Sequence, residues 1–432
     1  MTMKMISLHY CTVKKVLIFL PFLLAAVLAG AELPPARSVI EIWVWGGPSH
    51  LDTFDPKPGA GRDWNGGYGA IPTNVEGIEI SEFLPKLARQ ADKFSIIRSM
   101  THGINAHETA TYLMQTGRMP GDGITWPAIG AVIAMCRADT FKGELPPYIA
   151  LTISKGRFSE SGFLGERFKP LATGGNLAAE RFQVDGYVPP ADRSPEELAA
   201  RDHLRLELDR FGKAAGEVPA LAAFDRAGEE ALAIMNSDDV KAFDLSSESP
   251  EMRDRYGRNP FGQSCLIARR LVERGIPYIT INAQGWDSHK KHFETMKQRT
   301  AEMDQGFAAL LEDLSEKGLL DSTIVWWSGE FGRTPRIDWN EPWLGGRNHY
   351  GACFSAVVAG GGFAGGRVLG ASDERGEHPV VRPVTPVDLL WSIYERCGIN
   401  PAGPLPGSRN SDAPILPGDG SGRIRELYRD SE

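Results

Sequence analysis

Six short apolar runs, each ending in a polar and often glycine-bearing turn, constrain this chain more than anything else in it. They are "VIEIWVW" (Val39–Trp45), "FSIIRSM" (Phe94–Met100), "YIALTIS" (Tyr148–Ser154), "PYITIN" (Pro277–Asn282), "STIVWWS" (Ser322–Ser328) and "FSAVVAG" (Phe354–Gly360). Near-continuous apolar strands such as "IVWW" fit a sheet buried on both faces. Amphipathic helical patterns lie between them. "FGQSCLIARRLVERG" sets Phe261, Cys265, Ala268 and Val272 on one face and stops at Gly275. "FETMKQRTAEMDQGFAALLEDLSEKG" repeats the pattern with Met296, Met303, Phe307, Leu310, Leu311 and Leu314. Strands that alternate with such helices predict an α/β fold with a mainly parallel sheet covered on both faces. The stretch 194–250 reads differently. It opens with "SPEE", a capped helix start, and stays charged and helical, which predicts a helical insertion on that core.

The N-terminus carries a separate signal. Lys14 and Lys15 precede the apolar stretch Val16–Ala29, and Ala29-Gly30-Ala31 follows as a small-x-small cleavage pattern. The stretch is short for a bilayer span of roughly 20 residues and is interrupted by Pro21. The expectation is a signal peptide over residues 1–31, a single mature domain over 32–432, a secreted or periplasmic location, and no membrane contact after cleavage. Loss of three lysines and no acid with the leader takes the formal net charge from −8 to about −11. That balance argues against nucleic acid as a partner. Beyond Cys11 in the leader, Cys136, Cys265, Cys353 and Cys397 are widely spaced, so either one disulfide or buried thiols fit.

In open α/β sheets, ligands bind at the carboxyl ends of the strands, and most of the histidines follow strands here. His50, with Asp52 and Asp55, follows the first run, and His102 and His107 follow the second. Asp287, His289 and His292 follow "ITIN", Glu330 follows "IVWWS", and His349 lies just before the run that begins at Phe354. Anionic oxygen and neutral imidazole gathered in this way suit a divalent metal ion. Taken alone, Asp287 or Ser288 is equally an ordinary helix N-cap. "HETATYLMQTG" predicts a helix starting at His107, where free backbone N–H groups favour an anion. Arg333, in "GEFGRTP", offers a fork of donors to phosphate or sulfate oxygens, or else an ion pair to a carboxylate. No nucleotide fingerprint or phosphate-binding P-loop follows a strand.

Together "GGPSHLDTFDPKP", "RSMTHGINAHETATYLMQTGRMPG", "FGQSCLIARRLVERGIPYITINAQGWDSHKKHF" and "SGEFGRTPRI…GGRNHYG" resemble the secreted bacterial proteins grouped as the domain of unknown function 1501. That family is similar to the alkaline phosphatase and sulfatase superfamily. The resemblance implies a three-layer α/β/α sandwich, one or two metal ions at the strand ends, and in-line attack on phosphorus or sulfur. Asp287 with His289 and His292 resembles one metal-binding part of that pattern, and His349 another. The chain also departs from it. The nucleophile position falls on His107 rather than Ser, Thr or Cys, and no C-x-P-x-R sequence is present. Glu330-Phe331 stands where the superfamily has Asp-His. A metal-activated water is therefore the expected attacking group.

The expected metal ligands are His50, Asp52, Asp287, His289, His292, Glu330 and His349, holding Zn, Mn, Ca or Mg. His107 is the expected general base or a further ligand, and Arg333 the expected anion contact. The expected function is a secreted metal-dependent hydrolase of phosphate or sulfate esters, acting on an anionic ester such as a sulfated or phosphorylated polysaccharide. The alternative is a non-catalytic surface protein of the same fold that binds an anionic polymer.

Overall fold

The structure is a computed structural model describing residues 33–152, 160–179, 237–406 and 413–429, with isolated positions between 182 and 234. The expected leader lies outside the described residues, as does most of the expected 194–250 insertion. At the start of that stretch Ser194 and Glu197 exchange capping hydrogen bonds. No described helix is long and apolar enough to cross a membrane.

Eight strands form one sheet. They are β1 (Ser38–Val44), β2 (Phe94–Met100), β3 (Tyr148–Leu151), β4 (Leu171–Ala172), β5 (Tyr278–Ala283), β6 (Thr323–Ser328), β7 (Phe354–Ala359) and β8 (Arg367–Leu369). Their spatial order is β8-β2-β7-β6-β1-β5-β3-β4. All neighbouring pairs are parallel except the two made by β7, which runs antiparallel to β2 and to β6. The six apolar runs are six of these strands; β4 and β8, at the two edges, are too short to carry a pattern of their own.

All seven residues of β1 are buried because each face of the sheet meets its own core. Ile40, Ile42 and Val44 join α3 (Pro260–Glu273) and α4 (His292–Glu316) on one side. Val39 and Trp43 join α1 (His107–Thr116), α2 (Ile129–Arg137) and α5 (Pro386–Arg396) on the other. The result is a three-layer α/β/α arrangement. Local chemistry marks the helix ends. Asn259 caps α3 ahead of Pro260, Thr385 and Asp388 form a capping box on α5, and Gly117 closes α1 at φ +67°.

One polar group interrupts the second core. The Glu41 carboxyl, buried mid-strand in β1, accepts hydrogen bonds from Gln115 Nε2, Thr280 Oγ1 (2.7 Å) and Tyr278 OH (3.2 Å). Burial raises its pKa against the lowering effect of these donors. Gln115 lies eight residues along α1 from His107, so this contact ties the histidine-bearing helix to the sheet. The four cysteines beyond the leader are free thiols, three of them buried, and burial raises the pKa of each.

Candidate functional site

The register of the central strands places the site. Val44 of β1 sits opposite Ala283 of β5, and Trp43 opposite Ser328 of β6. The chain segments leaving these strands carry Gly46, Asp287 and Glu330, and they emerge side by side at the carboxyl edge. His349 reaches the same edge because β7 runs backwards, so the approach to its amino end lies where the other strands finish. A two-residue ribbon, Gly332–Arg333 with His349–Tyr350, holds it there and sets His349 opposite Arg333.

Three imidazoles surround one carboxylate. His289 Nε2 lies 3.0 Å and His349 Nε2 3.1 Å from Asp287 Oδ1, and His107 Nε2 lies 3.4 Å from Oδ2. One donor atom each from His107, Asp287 and His349 fall within 4.8 Å of one another. The far sides of the rings fix their tautomers. His349 Nδ1 donates to the carbonyl of Asn105 (2.9 Å), and His289 Nδ1 sits 2.9 Å from the side-chain oxygen of Asn348. His107 Nδ1 meets Glu330 Oε1 at 2.6 Å. With Nδ1 carrying the proton in each ring, the three Nε2 atoms present lone pairs to the same carboxylate. His289 Nε2 and His349 Nε2 are themselves only 2.9 Å apart. Such a convergence of lone pairs is stable only with a cation, or added protons, at its centre.

With no cation at that point, the electrostatics favour the added protons instead. Burial opposes ionisation of Asp287, but hydrogen bonds from His107, His349 and Arg333 outweigh it and hold the carboxyl far below the usual carboxylate range. Burial pushes the His107 pKa down, and Asp287 and Glu330 on its two nitrogens more than reverse this, raising it to about 9. Trp45 stacks on the His107 ring at 4.8 Å between centroids and Phe331 on the His349 ring at 4.6 Å, giving the rings an apolar wall.

Several residues singled out in the sequence have other surroundings. Glu330 is fully buried and accepts from His107 Nδ1 and from the Gly46 N–H (2.9 Å), so it orients a ring rather than facing the central point. Arg333 is also fully buried. Four of its five N–H donors go to the carbonyls of Gly46, Gly47 and Arg347 and to Asp287 Oδ1, and its fully buried head offers no face to a substrate anion. Here the ion-pair alternative describes the structure, and the expected anion contact does not.

Asp52 and His292 lie in a separate buried network. His292 Nε2 is 2.9 Å from Asp52 Oδ2, His292 Nδ1 is 2.6 Å from Ser288 Oγ, and Arg347 Nε is 3.0 Å from Asp52 Oδ2. A guanidinium already holds the place a metal would take at Asp52. His50 Nε2 turns to the carbonyl of Gly376 at 2.8 Å. The helix-cap alternative for Asp287 and Ser288 is corrected as well: α4 begins at His292, and its N-cap is Lys291 at φ +48° without a side-chain bond.

Asn105, Asn348 and Trp45 were not singled out from the sequence. The only hint was that Asn105 and Asn348 lie within two residues of His107 and His349.

The family model described as "Protein of unknown function (DUF1501)" matches residues 36–416. The chain belongs to the DUF1501 family. No curated protein matches it. Among solved structures, the DUF1501 chain is similar to Ps i-CgsB in complex with k-i-k-neocarrahexaose. The identity is 12%, over 85% of this chain and 73% of that one, with a TM-score of 0.41. It is also similar to PsFucS1 sulfatase from Pseudoalteromonas sp., at 13% identity, 92% and 74% coverage and a TM-score of 0.38. A protein in the alkaline phosphatase superfamily from Vibrio parahaemolyticus gives 9% identity, 84% and 68% coverage and a TM-score of 0.38.

In this DUF1501 chain Gly46 lies hard against the Asp287 loop. Its φ is +115°, and a Cβ there would stand 2.3 Å from the Asp287 backbone nitrogen. Gly46→Ala is therefore expected to push the Asp287 loop off β1 and to cost about 2 kcal/mol or more from backbone strain and overpacking. Denaturant unfolding checks this; unchanged stability would mean that the loop moves freely.

Proposed function

We propose that this protein is a secreted hydrolase of phosphate or sulfate esters that uses a divalent metal ion held by Asp287, His289, His349 and His107. The observation that carries the reading is the convergence of three Nε2 lone pairs on one ionised carboxylate. A donor set of imidazoles with a single carboxylate suits Zn or Mn better than Ca or Mg, which favour all-oxygen shells. The chemistry such an ion supplies is polarisation of an ester oxygen and a lowered pKa for a bound water.

The chain's own residues do the remainder. Glu330 holds the Nδ1 proton of His107 and so aims its Nε2 at the centre, while Asn105 and Asn348 do the same for His349 and His289. Arg333 fixes the Asp287 carboxylate. Trp45 and Phe331 shield the histidine rings from water on one side. His107 stands at the first turn of α1, whose free N–H groups favour an incoming anion. Among the described residues, no serine, threonine or cysteine side chain hydrogen-bonds to the Asp287 carboxylate, which favours attack by water over a covalent intermediate.

Elemental analysis of the purified full-length protein, followed by chelation and re-addition of single metals in a screen of aryl phosphates and aryl sulfates, tests the reading. Stoichiometric transition metal and turnover that follows it are expected. A folded protein with no metal affinity would overturn the proposal. Bound metal without turnover of any ester would favour the non-catalytic polymer-binding alternative.

Glu330→Gln adds a finer check. It keeps the volume and removes the charge behind His107, so metal affinity should fall by about 10–100-fold. Competition with a chelating dye reads this, and an unchanged affinity would take His107 out of the ligand set.

A further inference from the structure

Asp287 and His289 turn outward to the site, and Ser288 between them turns inward. Its Oγ lies 2.6 Å from His292 Nδ1, and His292 Nε2 lies 2.9 Å from Asp52 Oδ2. The carboxylate accepts from Nε2–H, so Nδ1 of the neutral ring accepts from the Ser288 hydroxyl. The same Oδ2 is 3.0 Å from Arg347 Nε. Arg347 opens the segment Arg347-Asn348-His349, in which the Asn348 side chain meets His289 Nδ1 and His349 Nε2 meets Asp287 Oδ1. One carboxylate oxygen therefore fastens two segments that bring side chains to the site. It reaches one through His292 and Ser288 and the other through Arg347, and all four of these side chains are buried.

Asp52 is itself held firmly. In the turn after β1 the Asp55 N–H donates to the His50 carbonyl at 2.8 Å and Thr53 Oγ1 to the Ser49 carbonyl at 2.7 Å, while the Ser81 N–H donates to the Thr53 carbonyl at 2.8 Å. Leu51 and Phe54, close on either side, are buried. Backbone bonds also join the two segments, but farther from the site: the N–H groups of Lys291 and His292 donate to the carbonyls of Trp343 (3.1 Å) and Gly345 (3.3 Å). Nearer the site the buried connection runs through Asp52. The spacing it bears on is fine, since His289 Nε2 and His349 Nε2 are 2.9 Å apart and must both face one point. Ligands are held to such tolerances by the groups behind them.

We propose that Asp52 is a positioning residue for the metal centre, setting the spacing of His289 against His349 by tying Ser288 and Arg347 to one buried carboxylate. The inference rests on the metal reading above. It gives the network beneath the site a role besides stability.

Ser288→Ala tests this, because it cuts one arm and leaves the Asp52–Arg347 ion pair in place. Leu310→Ala, which opens a cavity in the core farther along α4, is the control for lost stability alone. Circular dichroism and thermal unfolding check that wild type and both variants are folded at the temperature used. Zinc affinity is read by competition with a chelating dye, and the geometry at the metal by the visible absorption bands of the cobalt(II)-loaded protein. Ser288→Ala should bind zinc at least about tenfold more weakly than wild type and should shift the cobalt bands. Leu310→Ala should unfold at a lower temperature yet match wild type in both metal readouts. An unchanged zinc affinity in Ser288→Ala, an unchanged cobalt spectrum, or an equal loss of affinity in Leu310→Ala would each overturn the proposal. A wild type that binds neither zinc nor cobalt would show instead that the metal reading itself has failed, and this proposal with it.

Discussion

Asp287→Asn is expected to strip the protein of bound metal and of ester hydrolysis while leaving α4 capped as before. Asp287 gathers all three Nε2 atoms, and asparagine keeps its size but not the charge that offsets a divalent cation. Loss of at least about 100-fold in metal affinity is expected, beyond what a supporting residue would cost. The change has a second consequence. Arg333 is fully buried and, among the described residues, Asp287 is its only carboxylate hydrogen-bond partner, so neutralising Asp287 leaves a guanidinium with carbonyls alone. Because Asp287 is about a third exposed, that costs less than breaking a fully buried pair, about 2 kcal/mol. His349→Gln separates the two effects, since it removes one Nε2 and does not touch Arg333. Both variants should lose metal, and only the aspartate variant should lose appreciable stability. Full metal content in folded Asp287→Asn, measured by elemental analysis, would refute the assignment.

Asp52→Asn should have the largest effect on stability. Asp52, His292 and Arg347 are all fully buried, and Arg347 also donates to the carbonyls of Thr334, Pro335 and Trp64. Removing the carboxylate charge leaves Arg347 uncompensated, at a cost of about 3–5 kcal/mol. Burial would raise the Asp52 pKa, but the Arg347 guanidinium and the His292 hydrogen bond hold the carboxyl well below its ordinary value. A carboxyl depressed in the folded state contributes fully above its unfolded pKa, near 4, and loses that contribution as pH falls further. Wild type should therefore show an acid-side loss below about pH 4 that Asp52→Asn lacks in part. Urea unfolding at pH 7 and at pH 3 checks both statements. A change below about 1 kcal/mol at pH 7 would mean that water reaches Arg347.

The sequence by itself determined the strands, the main helices and the edge of the sheet at which chemistry would gather. The six apolar runs are six strands of the sheet, with ends shifted by at most three residues, because burial on both faces leaves few places for a polar residue. The helix starting at His107 and the long helix after Asp287 followed from spacing and glycine stops in the same way. The expectation that histidines after different strands gather at one edge needed only the rule for carboxyl ends.

Tertiary structure alone decided which of those residues face one another. Residues a few positions apart part company: Asp287 and His289 meet His107 and His349, whereas His292 turns into the core toward Asp52 and Arg347. A residue's type does not disclose whether its charge is spent on metal, on a guanidinium or on a ring nitrogen, since that depends on partners 40 or more positions away in sequence. Arg333 satisfies backbone carbonyls 286 and 287 positions distant, and Glu330 reaches His107 across 223. The reversed direction of β7, which brings His349 to the edge where the other strands end, has no signature in a single apolar run. Strand direction is fixed by pairing with neighbours, and pairing is a property of the folded sheet.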